Sequence, residues 1–267
     1  MLAAGLGSRF GGPKQLVQVG TDGAAIMDIL LQRAAAVGFR RAVIVVAPGT
    51  EAVVRAHLDG MHASAPPDFP VELAVQPLRP GRSRPLGTAD AALAARDAVA
   101  GSFVVVNADD LYPADAFALA AAHLRDAPPS EHALVAFRVS RTLVGDRAVS
   151  RALIRVGAAG ELIGIREGTV VPQADGLQFE TGSSMEELQG DECVSMNLWA
   201  FREFAFDAFA REVSEFVAED REGEAFLPDA VMRLVGSGET VRVLVSESRC
   251  VGITHDQDIA VVRAALQ

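Results

Sequence analysis

Over the first 135 residues, short apolar β-rich runs alternate with stretches of helical period. This alternation restricts the possible folds more than any other feature of the chain. Arg41-Ala42-Val43-Ile44-Val45-Val46-Ala47 is an almost unbroken apolar run, as are residues 71–76 and 103–107. Runs without polar alternation are the pattern of strands buried on both faces. Between them, residues 24–37, 50–58, 88–99 and 113–125 carry helical spacing. Strand, helix and strand at this interval imply βαβ units and a parallel sheet. Right-handed crossovers then bring the C-terminal ends of the strands, and the loops after them, to one edge. Leu2-Ala3-Ala4 leaves little room for a first strand before Gly5, and reads as a central strand clipped at its start.

The rhythm changes after Val135. Residues 153–156 and 161–165 flank Gly157-Ala158-Ala159-Gly160 and read as a hairpin. A strand is expected at 194–199 and another at 241–245. Phe206, Phe209, Val213, Phe216 and Val217 recur at helical spacing within 204–218. A second helix is expected over 225–235, with Pro228 near its start, and a closing helix over 256–266, with Asp256 as its N-cap. The polar, glycine-containing stretch 169–190 reads as a loop or lid. There is no internal repeat, so one domain is expected over 1–267.

Half of the chain is apolar, 22% is charged and the mean hydropathy is +0.24, which excludes a predominantly disordered chain. The densest apolar stretches, 42–47 and 116–122, are far shorter than the roughly 20 residues that span a bilayer. Met1-Leu2-Ala3-Ala4-Gly5 has neither a basic region nor a long apolar one, so no signal peptide is read there. A net charge of −11 disfavours binding to a nucleic-acid backbone but permits one small anion at a local basic site. Cys193 and Cys250 form no disulfide framework or metal motif, and a reduced, cytoplasmic setting is expected.

The segment Leu2-Ala3-Ala4-Gly5-Leu6-Gly7-Ser8-Arg9-Phe10-Gly11-Gly12-Pro13-Lys14-Gln15 follows that first strand. Its glycines let backbone N–H groups approach an anion closely. Arg9 can grip phosphate oxygens in bidentate fashion. Lys14 is the only lysine beside 23 arginines, which points to a site that needs a compact ammonium rather than a planar fork. Gly-Lys-Ser/Thr is absent, so this is not a Walker A loop, and the third glycine of the dinucleotide fingerprint is missing.

The loop resembles the signature of the sugar-phosphate nucleotidyltransferases, Leu-Ala-Ala-Gly-x-Gly-Ser/Thr-Arg followed by Pro-Lys. Leu86-Gly87-Thr88-Ala89-Asp90-Ala91 resembles their Gly-Thr-Ala stretch beside the nucleobase. Val106-Asn107-Ala108-Asp109-Asp110 resembles their metal-binding strand end. The resemblance implies a Rossmann-like, mixed but mainly parallel sheet with helices on both faces, plus a smaller β-rich acceptor-side lobe. Residues 1–135 would form the nucleotide-binding half and 136–267 the acceptor-side half. It implies transfer of NMP from an NTP, a pyrimidine one by the Gly-Thr-Ala stretch, to a phosphorylated small molecule, with Mg2+ and release of pyrophosphate. Arg9 and Lys14 would be catalytic and Asp109 would hold the metal. Leu2, Ala3, Ala4, Gly5, Gly7, Ser8, Gln76, Gly87, Thr88, Asn107, Glu167 and Asn197 would bind the substrates. No nucleic acid or membrane is implied, and a homo-oligomer is compatible with the pattern. Cytidylyltransferases of isoprenoid or molybdopterin-cofactor type, a non-catalytic nucleotide-binding subunit and a glycosyltransferase are the competing readings.

Three departures from the family pattern bear on the acceptor and the metal. Ile165-Arg166-Glu167-Gly168 keeps a glutamate but lacks the lysine that grips an acceptor phosphate. At least one of Arg147, Arg151 and Arg166 is therefore expected to face the pocket of Asp109, Glu167 and Asn197, and glucose 1-phosphate to be a poor substrate. Gly252 stands where a second metal aspartate is usual, leaving Asp256, His255 or Asp110 to complete the shell. Eleven positions separate Gln76 from Gly87, and the intervening Arg79, Arg82 and Arg84 fit a phosphate-contacting flap and a solvated loop equally well. Trp199 is expected in the core and His255 in a loop.

Overall fold

The computed structural model describes residues 1–5, 13–20, 22–64, 69–182 and 184–266. In chain order the elements are β1 (Leu2–Ala3), α1 (Ile26–Ala36), β2 (Ala42–Val46), α2 (Glu51–Ser64), β3 (Val71–Val75), α3 (Thr88–Ala94), β4 (Phe103–Val105), β5 (Asp110–Leu111), α4 (Ala114–Asp126) and β6 (Glu131–Arg138). They continue with β7 (Val149–Val156), β8 (Leu162–Gln173), β9 (Gly176–Glu180), β10 (Met185–Leu188), β11 (Cys193–Phe201), α5 (Ala205–Ala218), α6 (Leu227–Gly236), β12 (Thr240–Ser246), β13 (Val251–Gly252) and α7 (Asp258–Ala264).

The apolar runs form a central sheet. β1, β2 and β3 pair in parallel. β1 also meets the chain leaving β4, through Leu2 N–H to Val106 C=O (2.7 Å) and Ala108 N–H to Leu2 C=O (2.9 Å). β11 runs antiparallel between β4 and β6, and β12 joins β6 in parallel. The sheet is therefore mixed but mainly parallel, in the order β3-β2-β1-β4-β11-β6-β12. A cut at residue 135 falls inside β6, so the two halves of the chain share this sheet.

Alternate residues face opposite layers, as strand geometry requires. Leu134, Ala136, Trp199 and Phe201 pack with α3, α5 and α6 on one side. Ala133, Val135, Phe137, Leu198 and Ala200 pack with α1, α4 and α7 on the other. α2 covers β2 beside α1. Trp199 is fully buried, in agreement with its expected place in the core. Burying side chains of this kind contributes about 1.5–3 kcal/mol each.

The β-rich lobe leaves this sheet at a bulge. The register of β11 shifts between Ser195 and Leu198. Before the shift β11 pairs with β7; after it, with β4. Asn197 sits in the shift with φ +61°, in the left-handed region that asparagine tolerates better than most residues. From β7 the lobe extends through β8 and β9 to β10 as an antiparallel meander.

Three expectations are corrected here. Residues 169–190 are the end of β8 and the strands β9 and β10, not a loop. One face packs Val170, Leu177, Phe179 and Leu188 into a small apolar cluster. But β9 and β10 are only five and four residues long and carry polar residues on the other face, so the alternation is too brief to stand out. The closing helix starts at Asp258, and Asp256 is not its cap. Asp258 Oδ2 accepts the N–H groups of Thr254 and His255 at 2.7 Å, and Arg147 pairs with Oδ1. Helix α3 also stops at Ala94, with a single 3-10 turn at Arg96–Ala98 filling the rest of the expected span.

Candidate active site

The strand ends at which β1, β3 and β4 stop form one edge, and two cavities open along it. The first, about 350 Å3, is lined by Leu2, Ala4, Gly5, Gln76, Arg84, Pro85, Gly87, Thr88, Ala91, Asn107, Asp109 and Glu224. The second, about 690 Å3, is lined by Thr88, Ser150, Glu167, Gly168, Thr169, Glu180, Thr181, Gly182, Asn197, Phe226 and Pro228. A smaller recess of about 150 Å3 joins Asn107, Asp110, Arg151, Glu167 and Asn197. Thr88 belongs to both large cavities. The segment misread as a loop supplies one wall of the second through Glu180, Thr181 and Gly182.

Gly87 holds the first cavity open. Its φ is +124°, and a Cβ there would lie 2.6 Å from Ala225 C=O and 2.9 Å from Ala225 N. The chain at 225–227 crosses at this point. Ala225 N–H donates to Leu86 C=O (2.7 Å), Ala89 N–H donates to Ala225 C=O (3.0 Å), and Leu227 N–H donates to the Thr88 hydroxyl (2.8 Å). A side chain at 87 would break this crossing. Gln76 lies against it despite the eleven-residue gap, with Nε2 donating to Gly87 C=O at 3.0 Å.

At the end of β4 the carboxylates of Asp109 and Asp110 are neighbours in sequence and in charge. Desolvation and then the charge of Asp110 push Asp109 up to about 7; Lys14 pulls it back. Asp110 is also raised by burial, against hydrogen bonds from Asn107 and Tyr112 and the charges of Arg151 and Lys14. Asn107 Nδ2 donates to Asp110 Oδ2 at 2.9 Å. Asp110 Oδ1 lies over Gly252, 2.0 Å from where a Cβ on that residue would be. β5 and β13 pair with Gly252 opposite Asp110, so the absence of a side chain at 252 is what makes room for this carboxylate. His255 and Asp256, the other residues considered for the metal, are exposed and line none of these cavities. Two adjacent, partly desolvated carboxylates are oxygen donors suited to a hard divalent cation such as Mg2+.

Tyr112 fixes this strand end from below. Its hydroxyl donates to Met196 C=O and accepts Asn107 N–H at 3.1 Å. Trp199 Nε1 donates to Asn197 Oδ1 at 3.0 Å and sets that side chain. Of Arg147, Arg151 and Arg166, Arg151 lines the recess with Asp110, Glu167 and Asn197. It is held by Thr142 Oγ1 (2.9 Å) and Ser150 C=O (2.7 Å). Arg147 is taken by Asp258, and Arg166 by Glu186 and the ring of Phe179. In the loop before Gly87, Arg79 pairs with Asp90 and Arg82 with Gly223 C=O, while Arg84 lines the first cavity.

Leu2, Ala3 and Ala4 are buried backbone at the edge, with Gln15 Nε2 donating to Ala3 C=O at 3.4 Å. Gly7, Ser8 and Arg9 lie outside the described residues. Sequence reasoning assigned no role to Asp90, Glu224 or Ser150. Asp90 could have been noticed as the one acid among the small apolar residues of 86–95.

In an open α/β sheet, such a cavity-bearing strand edge is where ligands bind. Residues 1–167 match the family model of the MobA-like NTP transferase domain, and the chain belongs to that family. It is accordingly a nucleotidyltransferase. The inositol-1-phosphate CTP transferase from T. maritima superposes with a TM-score of 0.67 at 15% identity, over 99% of this chain and 94% of that one. HddC from Yersinia pseudotuberculosis superposes with a TM-score of 0.60 at 14% identity, over 100% and 97%. At such identities the likeness is one of fold. No curated protein sequence matches significantly. No helix among the described residues is long and apolar enough to cross a membrane.

Proposed function

We propose that the protein transfers NMP from a pyrimidine NTP to a phosphorylated polyol or sugar, with Mg2+ and release of pyrophosphate. The observation that carries this reading is the meeting of two cavities at one pair of carboxylates. Asp109 lines the first, and Asp110 lines the recess that shares Glu167 and Asn197 with the second. One cavity then takes the nucleotide and the other the acceptor, with the reacting phosphates between them. Residues 1–135 supply most of the first and 136–267 most of the second.

In this reading Leu2, Ala3, Ala4, Gly5, Gln76 and Gly87 border the base, and Thr88 and Asn107 the ribose and phosphates. The glycine loop with Gly7 and Ser8, together with Arg9 and Lys14, neutralises the triphosphate. Asp109, with Asp110 beside it, would hold Mg2+, which supplies charge neutralisation at the α-phosphate when bound. An acceptor phosphate oxygen attacks the α-phosphorus in line and pyrophosphate leaves. No protein nucleophile is required; positioning and electrostatics carry the rate. Glu167 and Asn197 orient the acceptor, and Arg151 takes the part of the missing lysine toward its phosphate. The T. maritima neighbour is an inositol-1-phosphate CTP transferase, which supports a cytidylyl donor and a cyclitol-like acceptor.

The test is a matrix of NTPs against sugar, polyol and cyclitol phosphates, read by pyrophosphate release with Mg2+. Turnover with a pyrimidine NTP and a non-glucose phosphate is expected. Glucose 1-phosphate used at about 10 s⁻¹, a median enzyme rate, would overturn the acceptor assignment. Folded protein without pyrophosphate release on any pair would overturn the function.

A further inference from the structure

Gln76 is almost fully buried (1% exposed) at the end of β3, and its amide has only one orientation that satisfies its partners. Its Nε2 lies 3.0 Å from Gly87 C=O and 2.9 Å from Asp90 Oδ2. A carbonyl oxygen and a carboxylate paired with a guanidinium can only accept, so the NH2 group must face them both. Asp90 is itself 1% exposed and receives the guanidinium of Arg79 on Oδ1. The Gln76 carbonyl oxygen is thereby turned the other way. It has no hydrogen-bond partner among the described residues, yet it is not among the fully enclosed orphan atoms, and Gln76 lines the first cavity. It opens on that cavity as an acceptor.

We propose that Asp90 is a positioning residue that locks the Gln76 amide, so that the site accepts only a base donating an N–H from its Watson–Crick edge. This rests on the reading of the first cavity as the nucleotide site. Cytosine meets the requirement with its 4-amino group and uracil with N3–H. Pyrimidin-2-one meets it with neither, since its edge carries acceptors alone. Set against the Gln76 carbonyl oxygen, that edge leaves two acceptors facing each other in a desolvated cavity. The part of Arg79 is to secure Asp90. In Asp90→Asn the carbonyl of the new amide is claimed by Arg79, and its NH2 faces Gln76. The Gly87 carbonyl still calls for the Gln76 NH2 group, so the two neighbours now conflict and the amide is no longer held in one orientation.

The experiment is calorimetric binding of CTP, UTP and pyrimidin-2-one ribonucleoside triphosphate, with Mg2+, to wild type, Asp90→Asn and Gln76→Met. Wild type should bind the better of CTP and UTP at least about tenfold more tightly than the pyrimidinone, the effect of leaving one buried acceptor unpaired. Gln76→Met should bring that ratio to near one, and Asp90→Asn should lower it several-fold. The ratio is the readout, because general loosening of the fold would weaken all three nucleotides alike. Equal binding of all three by wild type, or an unchanged ratio in Asp90→Asn, overturns the locking. Failure of every nucleotide to bind overturns the nucleotide-site reading itself, and the locking with it.

Discussion

The two ends of the central sheet treat polar groups in opposite ways. At the end where β4 begins and β11 finishes, Arg202 is 8% exposed and donates five hydrogen bonds to the chain around it. Its partners are Glu131 C=O (3.1 Å), the Ser102 hydroxyl (3.2 Å), Leu124 C=O (2.9 Å), Ala127 C=O (2.9 Å) and Pro128 C=O (2.8 Å). Beside it, His132 Nδ1 accepts Arg202 N–H at 3.1 Å. At the other end, the Asp109 carboxylate has no side-chain hydrogen-bond partner among the described residues, and two acids lie together. Native chains satisfy almost all their buried polar groups. Apart from His132 Nε2, which has no partner among the described residues, the first end is closed with the chain's own carbonyls, whereas at the other the Asp109 carboxylate has no side-chain hydrogen bond among them. The first end holds the loops of α4 and β6 in place; the second, in the proposed reading, is kept for a ligand.

Substitutions at the two ends should separate activity from stability. Asp109→Asn should lower kcat/KM by about 10³ or more while leaving the thermal midpoint unchanged or raised, because a charge without a partner is removed. A variant near wild type in steady-state kinetics would break the contrast. Lys14→Gln should cost about 10²–10³ in rate with the fold intact, and Lys14→Arg should recover only part, since a planar fork replaces a point charge. Arg202→Ala should do the reverse. Unmatched carbonyls should cost about 3 kcal/mol in urea denaturation, while the folded fraction keeps its turnover.

The smallest effect is one of pH. Burial, then the charges of Arg202 and His123, lower the pKa of His132 from 6.5 to about 4. The unfolded chain therefore binds a proton that the folded chain refuses between these values. Stability contributed by neutral His132 is complete above pH 6.5 and is lost as pH falls toward 4, at up to about 1.4 kcal/mol per pH unit. His132→Asn, which keeps an acceptor for Arg202 N–H, should flatten that part of the curve. An unchanged curve would show that other groups control it.

Much of this organisation is visible in the bare sequence, for identifiable reasons. A strand buried on both faces must be apolar throughout, so 42–46 stands out; β3, at the sheet edge, is half-exposed and carries Glu72, yet its remaining apolar residues still mark it. Gly87 is marked by the resemblance of Leu86-Gly87-Thr88 to a family motif, and the crossing at Ala225 explains why glycine is needed there. The strands β9 and β10 do not stand out, because each is short and turns only Leu177, Phe179 and Leu188 to an apolar cluster. Asp90 hides for another reason: its significance lies in Gln76 and Arg79, which come from a different element.

The sequence by itself showed several strands of the core and which strand ends carry charge, because composition is a local property, but it did not reveal β6, the most deeply buried strand of the sheet. Only the tertiary structure decided that Gly252 yields its space to Asp110, that Arg151 rather than Arg147 or Arg166 reaches the recess beside Asp110, and which way the Gln76 amide faces. Each of these depends on which distant backbone comes within a few ångströms, and chain order alone does not encode that distance.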